Sequence, residues 1–213
     1  MNRLKSAILN RKDIVSGRIL MNVLEKTDPE DLVHAVCVAE ISKIIASGTG
    51  LEKTARGELW LAGLLHDIGK LGIPSEVLSR RHLKRSDKQY LRKHTTIGRY
   101  IVDKFFSGGA MGRVIEAHHE RYDGKGYPNG LSENEIPFDA RIIAIADYYD
   151  AARSAGWILV HRSHETVMQE IRDGAGSQFD PDMVEAALSK SVKIQIAHKS
   201  IHAASARELL RWM

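Results

Sequence analysis

The chain has 213 residues, 43% hydrophobic and 27% charged, with a formal net charge of +4 and a pI of about 9.1. It has no run of about 18 apolar residues that could span a bilayer, and its opening stretch, MNRLKSAILNRKDIVSGRIL, lacks the unbroken apolar core of a secretory leader. Cys37 is the single cysteine, which excludes an intramolecular disulfide and makes a cytoplasmic location the expectation.

Helical periodicity runs along the chain. Leu4, Ile8, Ile14, Val15, Ile19, Val23 and Leu24 predict an amphipathic lead-in helix over residues 1–27, broken near Gly17. Its apolar stripe suits dimer formation, signal relay or closure of a bundle. The next helix has a cap in Asp28, a proline at its first position in Pro29, and acids at the positive end of its dipole in Glu30 and Asp31. It runs through LVHAVCVAEISKIIA to about Gly48. Further helices are expected over 52–68, 87–106, from 111 to about 119, 139–155, 164–173 and 181–190. DGKGYPNGLSENEIP is a loop on its Gly and Pro content. Residues 79–88, SRRHLKRSDK, read as a solvated connection rather than a nucleic-acid patch. Only VKIQIAHKSI, residues 192–201, alternates as a strand does, and it belongs to a tail that ends in a short helix, SARELLRWM. The expected fold is an all-α bundle: a lead-in helix over 1–27, the main domain over 28–190 and an appendage over 191–213.

The histidines are unevenly placed. His34 lies mid-helix in an apolar segment, and His66 and Asp67 end an apolar helix in LLHDIGK. His94 follows YLRK, His118 and His119 end another helix, and Asp147 sits in RIIAIADYYD. A bundle can converge such side chains on its core. Burying an ionised Asp costs several kcal/mol unless it is paired or bound to metal, and imidazole with carboxylate is the ligand set of first-row transition metals. Five histidines and two aspartates exceed the needs of one ion, so two ions sharing a bridging carboxylate are expected. Two such ions activate a water and clamp both oxygens of a phosphoester displacement. Glu30, four residues before His34 on the same helical face, serves equally as a ligand or a first-turn acid. Asp147 has the competing role of cap or partner to Arg141 or Arg153. His82, His161, His164, His198 and His202 are assigned to ordinary core and surface roles. Dinucleotide and P-loop signatures are absent, as is a nucleophile elbow.

HDIGKLGIP, HHERYDGKGYPNGL and ARIIAIADYYDA, continuing through GAGSQFDPDMVEA, resemble the HD-GYP family of the HD superfamily, bacterial metal-dependent cyclic dinucleotide phosphodiesterases. The resemblance covers about residues 28–188. It implies an HD-domain helical bundle with a GYP loop and two or three iron ions, with manganese as the alternative. By position, the metal ligands are His34, His66, Asp67, His94, His118, His119 and Asp147, with Asp67 bridging and Glu30 added where a third metal binds. Lys70 falls beside the phosphate and the hydroxide that bridges the metals, Tyr127 against the substrate, and Asp150 behind a ligand that it orients. The implied activity is hydrolysis of a cyclic dinucleotide, cyclic di-GMP first, with no nucleic-acid polymer, no membrane, and protein partners or a homodimer through the lead-in helix. The chain departs from the family after IADYYDA. Gly156 and Leu159 stand where basic phosphate-binding residues are usual, and Arg153 replaces a threonine. Arg153, Arg162 and Lys125 are candidate substitutes. The departure keeps open a cyclic dinucleotide sensor or protein-interaction domain, a phosphohydrolase for another nucleotide, and a di-iron oxygenase.

Overall fold

The structure is a computed structural model that describes residues 29–53, 55–80, 84–106, 109–154, 162–204 and 206–209. The lead-in helix over 1–27, His82, His161, Gly156 and Leu159 lie outside the described residues, as does the side chain of Glu30.

Helix α1 (Pro29–Ala46) is the axis of the bundle. Leu32, Val36, Val38, Ile41 and Ile45 point in different directions round the helix, yet each is fully buried. A helix apolar on all sides must be covered on all sides. Here α2 (Ala55–Leu65), α7 (Phe138–Arg153) and α10 (Ser191–Ala203) pack along it. The expected helix over 52–68 stops at Leu65. His66 and Asp67 form a turn, and a short 3-10 segment follows at Ile68–Gly72.

After the short α3 (Ser75–Leu78), the helix expected over 87–106 is two helices, α4 (Arg85–Leu91) and α5 (His94–Phe105). Three consecutive side chains make the break. His94 Nδ1 reaches the Leu91 carbonyl at 2.6 Å, Thr95 Oγ1 the Arg92 carbonyl at 3.1 Å, and Thr96 Oγ1 the Lys93 carbonyl at 3.0 Å. Side chains that bond carbonyls three residues back compete with the helical ladder. The break places His94 at the start of α5. Helix α6 (Ala110–Ala117) ends with His118 as its C-cap.

Downstream, α8 (His164–Asp173) is capped by Ser163, and α9 (Pro181–Ser189) by Asp180 with Pro181 in its first turn. Residues 192–201 are helical, not extended. Ile194, His198 and Ile201 share the buried face of α10, while Val192 and Ile196 are exposed. The alternation of Val192, Ile194 and Ile196 crosses from one face to the other, and the 4-then-3 spacing of the buried set identifies the face that packs. The tail expected as an appendage therefore lies against α1, joined there by α11 (Ala206–Leu209) with Leu209 fully buried. Among the described residues no strand forms, and none of the helices is long and apolar enough to cross a membrane.

Candidate metal centre

Five segments converge at one end of α1. Asp67 sits at the middle. Its Oδ2 faces His66 Nε2 at 3.4 Å and His34 Nε2 at 3.8 Å, and its Oδ1 faces His94 Nε2 at 3.3 Å. Asp147 Oδ1 lies 3.3 Å from His34 Nε2, and its Oδ2 lies 3.9 Å from His119 Nδ1. His94 and His118 meet through their Nε2 atoms at 3.3 Å, as do His34 and His66 at 3.2 Å. The seven residues divide into a His34–His66–Asp147 side and a His94–His118–His119 side, with one oxygen of Asp67 turned to each. His34, His66 and Asp67, and separately His94, His118 and His119, bring donor atoms within 4.8 Å of one another.

The tautomers explain the Nε2 contacts. His66, His94 and His118 each direct Nδ1 at the carbonyl three residues back, on Gly63, Leu91 and Ile115, at 2.7, 2.6 and 2.5 Å. His34 directs Nδ1 at Asp150 Oδ2, 2.7 Å away. A carbonyl or carboxylate accepts, so each of these Nδ1 atoms carries a proton, and the Nε2 atoms of His66, His94 and His118 present lone pairs. The lone pairs of His94 and His118, 3.3 Å apart, repel unless a cation lies between them, while a charged His34 donates to His66 at 3.2 Å. The donor set therefore fits first-row divalent ions.

The local sequence builds this geometry. Gly69 lets the HDIGK turn pack on the first turn of α5; a Cβ there would meet the His94 carbonyl oxygen at 1.9 Å and the Gly98 nitrogen at 2.5 Å. This contact brings Asp67 to His94. In the GYP loop, a Cβ on Gly126 would meet the Glu120 Cα and the Arg121 nitrogen at 2.4 Å. The buried Glu120 ties the loop down, accepting from the Asn129 and Gly130 amides at 2.7 and 3.1 Å. The Tyr127–Pro128 peptide is cis.

Charge is strongly organised. Burial raises the Asp67 carboxyl, but Lys70 and His66 outweigh it and hold the group well below its usual range. Asp147 is likewise held down against burial by His34 and His119. Burial opposes charge on His34, but Asp147 and Asp150 lift the ring to about 10. His119 is pushed down to about 4, chiefly by burial. Lys70 Nζ donates to Asp67 Oδ2 at 2.8 Å and to Asp31 Oδ1 at 2.9 Å, and these carboxylates raise its pKa despite burial.

Tyr127 stacks on His119, with ring centroids 4.9 Å apart, and the Arg92 guanidinium carbon lies 4.7 Å from the Tyr127 centroid. A cleft beside the centre is lined by His118, His119, Asp147, Tyr148, Gln178 and Phe179. Arg153 is directed elsewhere. Its Nη1 donates to the Arg162 carbonyl at 2.6 Å, near Tyr149 and His164. Arg162 pairs with Glu170 at 2.9 Å, and Lys125 is exposed beside Asp123. Arg141 pairs with Asp180, not with Asp147.

Three contributors were not legible in the sequence. Asp31 reads as a first-turn acid, yet it holds Lys70. Arg92 has no spacing signal linking it to Tyr127. Glu120 is an acid beside a Gly-rich loop, a signal that points to loop anchoring only once its burial is known.

The HD domain family model matches residues 18–183. The chain belongs to the HD-domain family. This HD domain is 35% identical over 181 residues to a cyclic di-GMP phosphodiesterase of Thermotoga maritima, covering 82% of this chain and 49% of that protein. It is 37% identical over 149 residues to 3'3'-cGAMP-specific phosphodiesterase 1 of Vibrio cholerae, covering 69% and 35%. The HD domain spans about half the length of the first of these relatives and less of the second. Among solved structures, a Vibrio cholerae cyclic GMP-AMP phosphodiesterase aligns with a TM-score of 0.64 at 19% identity, over 93% of this chain and 52% of that one. The HD domain of PgpH from L. monocytogenes, in complex with cyclic-di-AMP, aligns with a TM-score of 0.59 at 16% identity, over 88% and 99%. At these identities the two structures establish the shared helical fold.

Proposed function

We propose that this HD domain is a metal-dependent phosphodiesterase that opens a cyclic dinucleotide, with cyclic di-GMP as the first substrate and the mixed GMP–AMP ring as the second. The observation that carries the reading is the division of Asp67, one oxygen toward His34 and His66 and the other toward His94. The relatives named for these two substrates support the choice of ring. His34, His66, Asp67 and Asp147 would hold one ion, and Asp67, His94, His118 and His119 the other. Iron is the first candidate and manganese the second, and Glu30 is the candidate ligand for a third ion. When bound, such ions supply an activated water and neutralise charge on the phosphate.

The chain's own groups do the rest. Lys70 stays protonated between Asp31 and Asp67, so it acts as a fixed positive charge for the developing phosphorane rather than as a proton donor. Burial raises the Tyr127 phenol, keeping it neutral and able to donate to a phosphate or ribose oxygen. Arg92, held over the same ring, is the candidate phosphate grip in a chain that has Gly156 and Leu159 where basic residues are usual. Its fork can bind a phosphate through two hydrogen bonds.

The test incubates iron- or manganese-loaded chain with each ring and separates the products chromatographically. Linear dinucleotide or mononucleotides are expected. Absence of turnover of both rings, with the metals confirmed bound, overturns the proposal; binding without hydrolysis in calorimetry would then favour a sensor.

A further inference from the structure

One helical turn from the centre just described, a second set of donors gathers round Asp150. Cys37 follows His34 by three residues on α1, and Asp150 follows Asp147 by three on α7, so each lies one turn along from a residue of the first centre. His198 and His202, four apart on α10, complete the set. One atom from each of these four residues lies within 4.8 Å of every other. His202 Nε2 lies 2.7 Å from Asp150 Oδ1, and His198 Nε2 lies 3.4 Å from the same oxygen. The two imidazole centroids are 4.3 Å apart.

Hydrogen bonding alone leaves this cluster incomplete. His198 is 7% exposed, and its Nε2 is buried with no hydrogen-bond partner. A buried nitrogen without a partner loses its hydration with nothing in return. Asp150 is fully buried, and its other oxygen accepts from His34. Once His34 coordinates through Nε2 its ring is neutral. Asp150 then accepts from His34 and His202 at 2.7 Å each, which leaves the buried His198 Nε2 as the group that hydrogen bonding does not satisfy.

We propose that Cys37, Asp150, His198 and His202 form a second, structural site for one zinc ion, distinct from the phosphodiesterase centre. Thiolate, carboxylate and two imidazoles are a four-ligand set that zinc takes tetrahedrally, with no position left for substrate. Burial holds the Cys37 thiol protonated in the absence of a cation. On binding, the S–H bond gives way to an S–Zn bond and that proton leaves to solvent, while His202 moves the Nε2 proton it donates to Asp150 onto Nδ1, so that both imidazoles present Nε2 to the ion. The two anionic ligands then neutralise the ion. His202 is the partly exposed member and gives the ion its way in. The bound ion would clamp α10 to α1 and α7 and fix the carboxylate that orients His34.

Cobalt(II) tests this directly, because Cys37 is the single cysteine and the first centre offers only nitrogen and oxygen. Cobalt added to the full, manganese-loaded chain should produce a thiolate-to-cobalt charge-transfer band in the near ultraviolet. Zinc should bleach it at one equivalent per chain. Cys37→Ser should abolish the band. His202→Ala, at a partly exposed position that the core does not depend on, should weaken cobalt binding by more than about tenfold. Cobalt bound with no thiolate band in the unmodified chain would overturn the proposal and leave a hydrogen-bonded cluster. So would a band that His202→Ala leaves at full affinity.

Discussion

Lys70 is held between Asp31 at 2.9 Å and Asp67 at 2.8 Å, and this geometry separates two roles that a lysine near a phosphate can have. A proton donor needs a pKa near the working pH. Lys70 is pushed above the ordinary lysine value, so the role proposed for it is that of a charge alone. Lys70→Met should lower kcat by about 10²- to 10³-fold, the loss typical of one preorganised transition-state donor, with the metal count by elemental analysis unchanged. Arg92 is proposed for the complementary role in binding. Arg92→Ala should raise KM by about 10- to 100-fold with a smaller change in kcat, measured by steady-state turnover of cyclic di-GMP, because a charge-assisted hydrogen bond contributes about 1.5–3 kcal/mol. The two residues differ in how far the sequence reveals them. Lys70 lies three residues from Asp67 in one turn, where local spacing predicts contact. Arg92 meets Tyr127 across a loop and two helices, and no periodicity encodes that meeting.

At the scale of elements, the turn carrying Asp67 and the start of α5 carrying His94 meet through a glycine. A methyl group on Gly69 would lie 1.9 Å from the His94 carbonyl oxygen, and the clash is with backbone that cannot rotate away. Gly69→Ala should push His94 off Asp67, so metal titration should lose one ion per chain while the His34 side still binds. Helix α7 offers a pH test. Burial, with Glu58 adding to it, raises the Asp139 carboxyl in its first turn to about 6. Its folded pKa thus exceeds the unfolded value of about 3.9, so the native state holds the proton more tightly. That stabilisation is full below about pH 4 and is lost as pH rises through about 6. Asp139→Asn should therefore stabilise the chain by about 1–3 kcal/mol at about pH 8 and give no gain at about pH 4, read as Tm in paired melts. Element boundaries were the less legible part of the fold. The caps of α8 and α9 are written in Ser163 and in Asp180 with Pro181. The break before α5 depends on side-chain bonds from His94, Thr95 and Thr96 that compete with a ladder the apolar pattern alone would continue.

Over the whole molecule, the sequence carried the candidate donor set because its members recur at helix ends, where His66 with Asp67 and His118 with His119 stand out from apolar runs. It did not carry the Asp150 cluster, since His198 and His202 acquire meaning only when α10 packs on α1, and their own helix had read as an alternating segment. The packing also makes metal a part of stability. The first centre joins α1, the HD turn, α5, the end of α6 and α7, so its donors are scattered in an unfolded chain and converge only in the native one. An ion that binds only the native state stabilises it by RT ln(1 + [L]/Kd), about 4 kcal/mol at a thousandfold excess over Kd. For a chain of this length each kcal/mol is about 2–4 °C in Tm. Exhaustive chelation should then lower Tm by about 10 °C, and manganese or ferrous iron should restore it in proportion to occupancy. His94→Ala removes a donor from one side only and should keep part of that restoration. A cluster held by hydrogen bonds alone would melt at the same temperature with and without chelator, because the lone pairs of His94 and His118 would already be reconciled without an ion.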